Sequence, residues 1–445
     1  MSNRLLFKAV PAARAASVLL AVLTAGAVAL PAARAGQQAP QLSAVAQLGK
    51  ALFYDTTLSG SGRMSCASCH DPANHYAPAN GRAVQLGGPD LSRPGLRAVP
   101  TLTYKTFTPA FSIGPEDPSQ ELNEVSPMAI AAGKTSAAAV PLATRAPATA
   151  KGANAAANIV PRGGMFWDGR AVSLQGQAMG PLLSPFEMAN PDIATLYAKL
   201  RAAHGKQIAA LFGASVPDDP QMTVSEAAFA IARYQVEDPS FHPFSSKYDA
   251  YLRGAAQLSP AEARGLKLFE APDKGNCAAC HLDKPGPDGR PPLFTDFEYE
   301  ALGVPRNPAI PANADPSYHD LGLCGPLRHD AYARQPRNCG LFKTPTLRNV
   351  ASRKAFFHNG VFHALKDVLR FYVLRDTDPG AVYPRGADGR LRLYDDLPAR
   401  YSGNIDHADA PFDRHPGDPP ALSVEERSDI VAYLRTLTDG YVPGH

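Results

Sequence analysis

Two Cys-x-x-Cys-His pentads, Cys66-Ala67-Ser68-Cys69-His70 and Cys277-Ala278-Ala279-Cys280-His281, constrain this chain more than any other feature. Each has the spacing at which two thiols add across the vinyl groups of one haem while the adjoining histidine ligates its iron. A zinc site or a redox dithiol also uses paired cysteines, but neither asks for a histidine directly after each pair. The flanking sequence repeats as the pentads do. Gly49-Lys50-Ala51-Leu52-Phe53 precedes the first and Gly265-Leu266-Lys267-Leu268-Phe269 the second. Each reads as the end of an amphipathic helix that turns its Leu and Phe to a haem, followed by a loop carrying the thiols. The expected fold is mainly α, with two cytochrome c-like haem domains, long loops and insertions.

The first residues say where such a chain is matured. Arg4, Lys8 and Arg14 precede an apolar stretch over 15–30, which ends at Ala33-Arg34-Ala35. That is the pattern of a cleaved secretory leader over 1–35, so the mature chain is expected in the periplasm with no membrane span. The formal net charge of +3 includes four basic residues of this leader and none of its acids, so the mature side chains sum to −1. The basic balance belongs to the leader, and nothing argues for nucleic-acid binding.

Four of the six cysteines sit in the pentads, leaving Cys324 and Cys339. In an oxidising compartment these two are expected to form a disulfide; as a redox-active pair they would lack Cys-x-x-Cys spacing. The length suits an N-terminal haem domain over 36–245 and a C-terminal one over 246–445. Residues 109–161 are rich in Ala, Pro, Gly and Ser and read as a loop insertion in the first. Helices are expected at 193–212 and 224–234, the second capped by Thr223 or Ser225, and at the C-terminal end after Ser423-Val424-Glu425-Glu426. Residues 285–337 read as loop.

All seven methionines, the last being Met222, lie upstream of Cys277. The C-terminal half therefore cannot supply the common His/Met pair from within itself. Its sixth ligand must be His, Tyr, Lys, water or nothing.

Beyond the pentads, four motifs follow in order: Phe166-Trp167-Asp168-Gly169-Arg170, Pro181-Leu182-Leu183-Ser184-Pro185-Phe186-Glu187-Met188, Phe342-Lys343-Thr344-Pro345-Thr346-Leu347-Arg348-Asn349 and Phe357-His358-Asn359-Gly360. Together they resemble the bacterial di-haem cytochrome c peroxidase superfamily, most closely its MauG-like branch. The resemblance covers nearly all of the mature chain except the 109–161 insertion and the loop around the extra cysteines.

It implies hydrogen peroxide as substrate and a role for each matched residue. His70 and His281 would be proximal iron ligands of two c-type haems. Tyr372 falls where the family places a methionine ligand of the second haem and the MauG-like branch a tyrosine; His358 and His363 are its rivals. Glu187 matches the distal acid/base beside the first haem, and Pro181 a distal-pocket position. The loop over 71–94 holds only His75, too close to His70 to reach the opposite face, so the first haem is expected to be open. Trp167, the only tryptophan, matches a relay between the haems, and Arg162 or Arg170 would pair with propionates. Calcium is implied through the backbone carbonyls of Arg353 and Ala355, although the family's Asn position is Ala98 here.

The function expected is therefore a periplasmic di-haem peroxidase. It would reduce peroxide at an open first haem, pass oxidising equivalents through Trp167 to a His281/Tyr372-ligated second haem, and oxidise an external redox protein or protein substrate. The alternatives are a peroxidase fed by a small cytochrome or cupredoxin, and a di-haem electron carrier without catalysis.

Overall fold

The computed structural model describes residues 41–115, 159–286 and 288–443. The leader expected at 1–35 and most of the insertion expected at 109–161 lie outside them. Among the described residues the helices are α1 (Ala44–Tyr54), α2 (Leu174–Leu183), α3 (Ile193–Phe212), α4 (Pro220–Glu237), α5 (Lys247–Leu252), α6 (Pro260–Glu270), α7 (Leu365–Leu374) and α8 (Val424–Arg435). The class is mainly α, as expected.

Side-chain caps set most helix starts. Ser43 accepts from the Ala46 amide ahead of α1, and Asp192 from the Thr195 amide ahead of α3. Ser259 with Glu262, and Ser423 with Glu426, form reciprocal capping boxes at α6 and α8. Helix α4 begins earlier than Thr223 or Ser225 would have it. Asp219 accepts from the amides of Gln221 and Met222, and Pro220 occupies the first turn, where its missing N–H costs nothing. Thr223 instead donates its hydroxyl to the Val216 carbonyl.

Gly49 and Gly265, the first residues of the repeat, are where helices cross. A methyl group on Gly49 of α1 would stand 1.8 Å from the Ala230 carbonyl oxygen of α4, and one on Gly265 of α6 would stand 2.0 Å from the Asp429 carbonyl oxygen of α8. Only glycine lets the backbones approach so closely. Around the first crossing Leu48, Leu52, Phe53, Leu196 and Tyr234 form one buried core; around the second, Phe269, Phe294, Leu369, Ile430 and Tyr433 form another. Each such side chain contributes about 1.5–3 kcal/mol on burial. Phe241 is the last member of the first core and Tyr248 the first of the second.

Buried polar locks fasten the second core and tie it to the N-terminal half through Tyr104. The Arg348 guanidinium, 1% exposed, donates to both Asp249 carboxylate oxygens at 2.8 and 2.9 Å. Asp439 accepts from the Tyr104 hydroxyl, the Asn349 amide and the Ser245 backbone N–H.

Strand is scarce. Strand β1 (Leu86–Gly87) pairs with β2 (Arg93–Pro94), β3 (Ser112–Pro115) with β4 (Ile159–Arg162), and β5 (Tyr299–Glu300) with β6 (Phe342–Lys343), all antiparallel. The ends of the expected insertion are thus a paired stem, with Ser112 opposite Arg162. The long segment after α6 is mostly loop and short turns, stapled by a Cys324–Cys339 disulfide with an S–S distance of 2.04 Å.

Candidate active site

Each pentad forms a single tight turn that ends on its histidine. The His70 backbone N–H donates to the Cys66 carbonyl and that of His281 to the Cys277 carbonyl, both at 2.9 Å. The rings are oriented alike. His70 Nδ1 bonds the Tyr76 carbonyl at 3.1 Å and His281 Nδ1 the Phe294 carbonyl at 2.9 Å. A carbonyl only accepts, so the proton is on Nδ1 and each Nε2 keeps its lone pair, the tautomer an iron ligand needs. Burial lowers both imidazoles to about 4, so the rings are neutral.

All four pentad cysteines are free thiols. Burial pushes Cys66 and Cys277 up to about 12 and Cys69 to about 11.

Glu187 faces the first pair. Its charge is felt at both Cys66 and Cys69, raising their pKa values further. The fold places it by a turn after α2: the Met188 N–H donates to the Pro181 carbonyl at 3.1 Å and the Glu187 N–H to the Ser184 carbonyl at 3.0 Å. From the other side the Gly88 N–H donates to the Glu187 carbonyl, and a methyl group on Gly87 would come within 2.8 Å of the Glu187 Cα. Pro181, inside α2, thus acts through its carbonyl in shaping the turn. The Glu187 side chain is open to solvent yet sits deep among protein atoms. That crowding raises its pKa above the ordinary 4.5, against the pull of Arg170. His75 takes a left-handed backbone conformation, φ 54°, and the charge acting on its ring is that of Asp439.

Trp167 is clamped at three points. Its Nε1–H donates to the Ala98 carbonyl at 2.8 Å, its carbonyl accepts from the Lys343 N–H at 2.9 Å, and its neighbour Asp168 is buried under Arg97 and Arg170. Arg97 also grips Asp320 with two bonds, and the Lys343 ammonium bonds the Gly164 carbonyl. Of the expected propionate partners, Arg170 bonds Asp168 and covers the face of Phe166, and Arg162 bonds the Asp296 carbonyl.

A cavity of about 370 Å³ lies over the second pentad. Cys277, Cys280, His281 and Tyr372 line it, with apolar walls from Phe269, Leu369 and Leu434. Trp167 lines it as well. Tyr372, on α7, stacks on Phe412 with ring centroids 5.4 Å apart. Burial raises its phenol, and the two nearby thiols add to that against Arg375. The rivals are committed elsewhere: His358 bonds Asp396 at 2.8 Å and stacks on Phe342, while His363 is exposed and bonds the Lys354 carbonyl.

Two cationic side chains of the cavity wall are not used in the sequence reading, where Lys105 is absent and Arg353 enters only through its carbonyl. Lys105 and Arg353 line the cavity, and both act on His70 as well. Burial lowers Lys105 to about 8 and Arg353 to about 10. A lone Lys before Thr106 and an Arg beside Lys354 give no local signal of such a position. Arg353 bonds the carbonyls of Val99 and Ala355.

The donor sets, the free thiols and the apolar cavity fit two thioether-bound haems, which defines the molecule as a c-type di-haem protein. Residues 43–257 match the family model of the di-haem cytochrome c peroxidases. Over 364 residues the chain is 36% identical to the methylamine utilization protein MauG of Paracoccus denitrificans, covering 79% of this chain and 80% of that one. It is 27% identical to the cytochrome c551 peroxidase of Nitrosomonas europaea, covering 72% and 70%. Among solved structures it resembles the diheme peroxidase BthA of Burkholderia thailandensis, with a TM-score of 0.73, 37% identity and 90% and 87% of the two chains covered. A variant of BthA with methionine in place of one tyrosine gives 0.74. The chain belongs to the di-haem cytochrome c peroxidase family. It is an oxidoreductase that reduces peroxide with electrons from a redox partner, and not a plain electron carrier. Among the described residues no helix is long and apolar enough to cross a membrane.

Proposed function

We propose that this chain reduces hydrogen peroxide beside the first pentad and draws the electrons through Trp167 from a second site held by His281 and Tyr372, so that an external protein donor is oxidised. The leader delivers it to the periplasm, and residues 36–245 and 246–445 each serve one haem. The observation that carries the reading is Glu187, an acid set by the turn after α2 whose charge acts on both cysteines of the first pentad.

Haem attached at Cys66/Cys69 and at Cys277/Cys280 supplies iron able to exchange electrons with peroxide. The work left to the protein is proton handling, access and wiring. As a carboxylate, Glu187 takes the proton from the attacking peroxide oxygen and returns it to the departing one. With two electrons and two protons, one peroxide becomes two waters. The charge that acts on the His75 ring is that of Asp439, which supports the reading that His75 is not a second ligand beside His70. Trp167 is the aromatic group between the two sites, and its rigid clamping keeps the distances on either side constant. Lys105 and Arg353 are placed to hold propionate carboxylates between the pentads. His281 and Tyr372, which line the same cavity, would hold the second iron, and the hard oxygen donor of Tyr372 would favour its higher oxidation state.

The test is spectroscopy of the as-isolated ferric protein before and after one equivalent of peroxide. One high-spin and one low-spin haem, and an immediate reaction without prior reduction, are expected. Two low-spin haems that react only after one is reduced would overturn the open-site reading and leave a peroxidase gated by reduction.

A further inference from the structure

The family resemblance puts a calcium ion where the segment around Ala98 meets the carbonyls of Arg353 and Ala355. The residues present do not fit one. Calcium takes six to eight oxygen ligands, with carboxylates or side-chain amides among them. Here the side-chain donor is replaced by the methyl group of Ala98, which is 2% exposed. The Ala98 carbonyl is already used by the Trp167 indole. The Ala355 carbonyl is used too: the Arg353 guanidinium donates to it at 3.2 Å and, from the same nitrogen, to the Val99 carbonyl at 3.2 Å. The Arg353 charge also acts on a second cation, Lys105. Among the described residues no group of three or more His, Cys, Asp or Glu side chains could hold a metal.

We infer that the Arg353 guanidinium stands in for the divalent ion, tying segment 97–101 to segment 353–355, and that this chain binds no calcium there. A guanidinium is suited to the exchange: it is permanently charged, planar, and can serve two carbonyls at once. The substitution also frees the site from dependence on the calcium level of its surroundings.

The holoprotein is incubated with excess calcium chloride, gel-filtered and assayed for metal, and its ferric spectra and Tm are recorded with and without EGTA. Calcium far below one per chain and no response to EGTA are expected. One calcium per chain, or a haem spectrum altered by EGTA, would overturn the inference. In a second arm, Arg353→Gln should lower Tm by several degrees with no recovery on adding calcium, because Ala98 still offers no donor. The double substitution Ala98→Asn with Arg353→Thr should take up one calcium per chain and regain Tm when it is added. An Arg353→Gln protein with unchanged Tm would show that the guanidinium ties nothing together. A folded double variant that ignores calcium would show that this is not the cation seat.

Discussion

The indole of Trp167 donates to the backbone carbonyl of Ala98 at 2.8 Å. A carbonyl can accept that hydrogen bond but cannot take the proton, so an indole that loses an electron keeps its N–H and its charge is stabilised in place. The same bond ties the tryptophan to the segment that Arg353 reaches through Val99. The proposed relay would thus rest on the same contacts that pack the ring.

Trp167→Phe therefore separates wiring from chemistry. Both haems should attach, and peroxide should still react beside the first pentad. The spectral change at the second haem that follows one equivalent of peroxide should be lost. Leaving the largely buried Ala98 carbonyl without a partner should cost about 1–3 kcal/mol, read as a lower Tm. A second haem that responds as fast as in the wild type would remove Trp167 from the path.

Glu187→Gln should keep haem content and Tm but slow the bimolecular reaction with peroxide by roughly 10² to 10⁴, as measured by stopped flow. The wild-type rate should also depend on pH in a definite direction. Crowding raises the Glu187 pKa above its ordinary value, and in the proposed role the carboxylate is the working form. The rate should therefore fall as pH drops, with its acid limb above the ordinary carboxylate range. The amide variant should lose that acid limb. A limb that persists in the variant would assign the titration to another group.

Much of this was legible because it is local. A pentad names its own chemistry, and Asp192 ahead of an apolar-periodic run gives helix α3 the limits Ile193–Phe212 that the sequence suggests. The start of α4 was misplaced because Asp219 and Pro220 outcompete Thr223 as a starting signal. Other features are long-range and leave no local trace. Strand β3 finds β4 across the segment 116–158, and Arg348 finds Asp249 from 99 residues away. Arg353 enters the sequence reading only through its backbone carbonyl, and the return of its guanidinium to Val99, 254 residues earlier, leaves no local trace. The pairing of Arg170 with Asp168 is only two residues long, but that Asp168 is fully buried is again a tertiary fact.

The glycine repeat can be tested without reference to haem chemistry. A methyl group at Gly265 would lie 2.0 Å from a backbone oxygen of α8, and backbone cannot move aside as a flexible side chain can. Gly265→Ala should destabilise by about 1–3 kcal/mol, against the helix-propensity gain that alanine brings elsewhere. Gly403, where an added methyl group would meet nothing within 4 Å, is the control, and its alanine variant should stay within about 0.5 kcal/mol of wild type. Equal Tm values for the two variants would mean that α6 and α8 do not cross as described.

Tyr372 decides which branch of the family's chemistry this chain follows. It shares a cavity with Cys277, Cys280 and His281, while His358 is bound to Asp396 and His363 is exposed. Burial favours the neutral phenol, so ligation of ferric iron must release the proton and bring a compensating negative charge into an apolar cavity. That anion stabilises the oxidised iron and lowers the potential of the second haem. Tyr372→Met puts a neutral thioether in the same place, at little cost in volume. The second haem should remain six-coordinate and low-spin, its reduction potential should rise, and the first haem's potential should shift much less. Spectroelectrochemical titration with EPR at each stage reads all three. Unchanged potentials in the methionine variant would mean that Tyr372 is a packed core residue, and the second iron would then have to find its sixth ligand elsewhere.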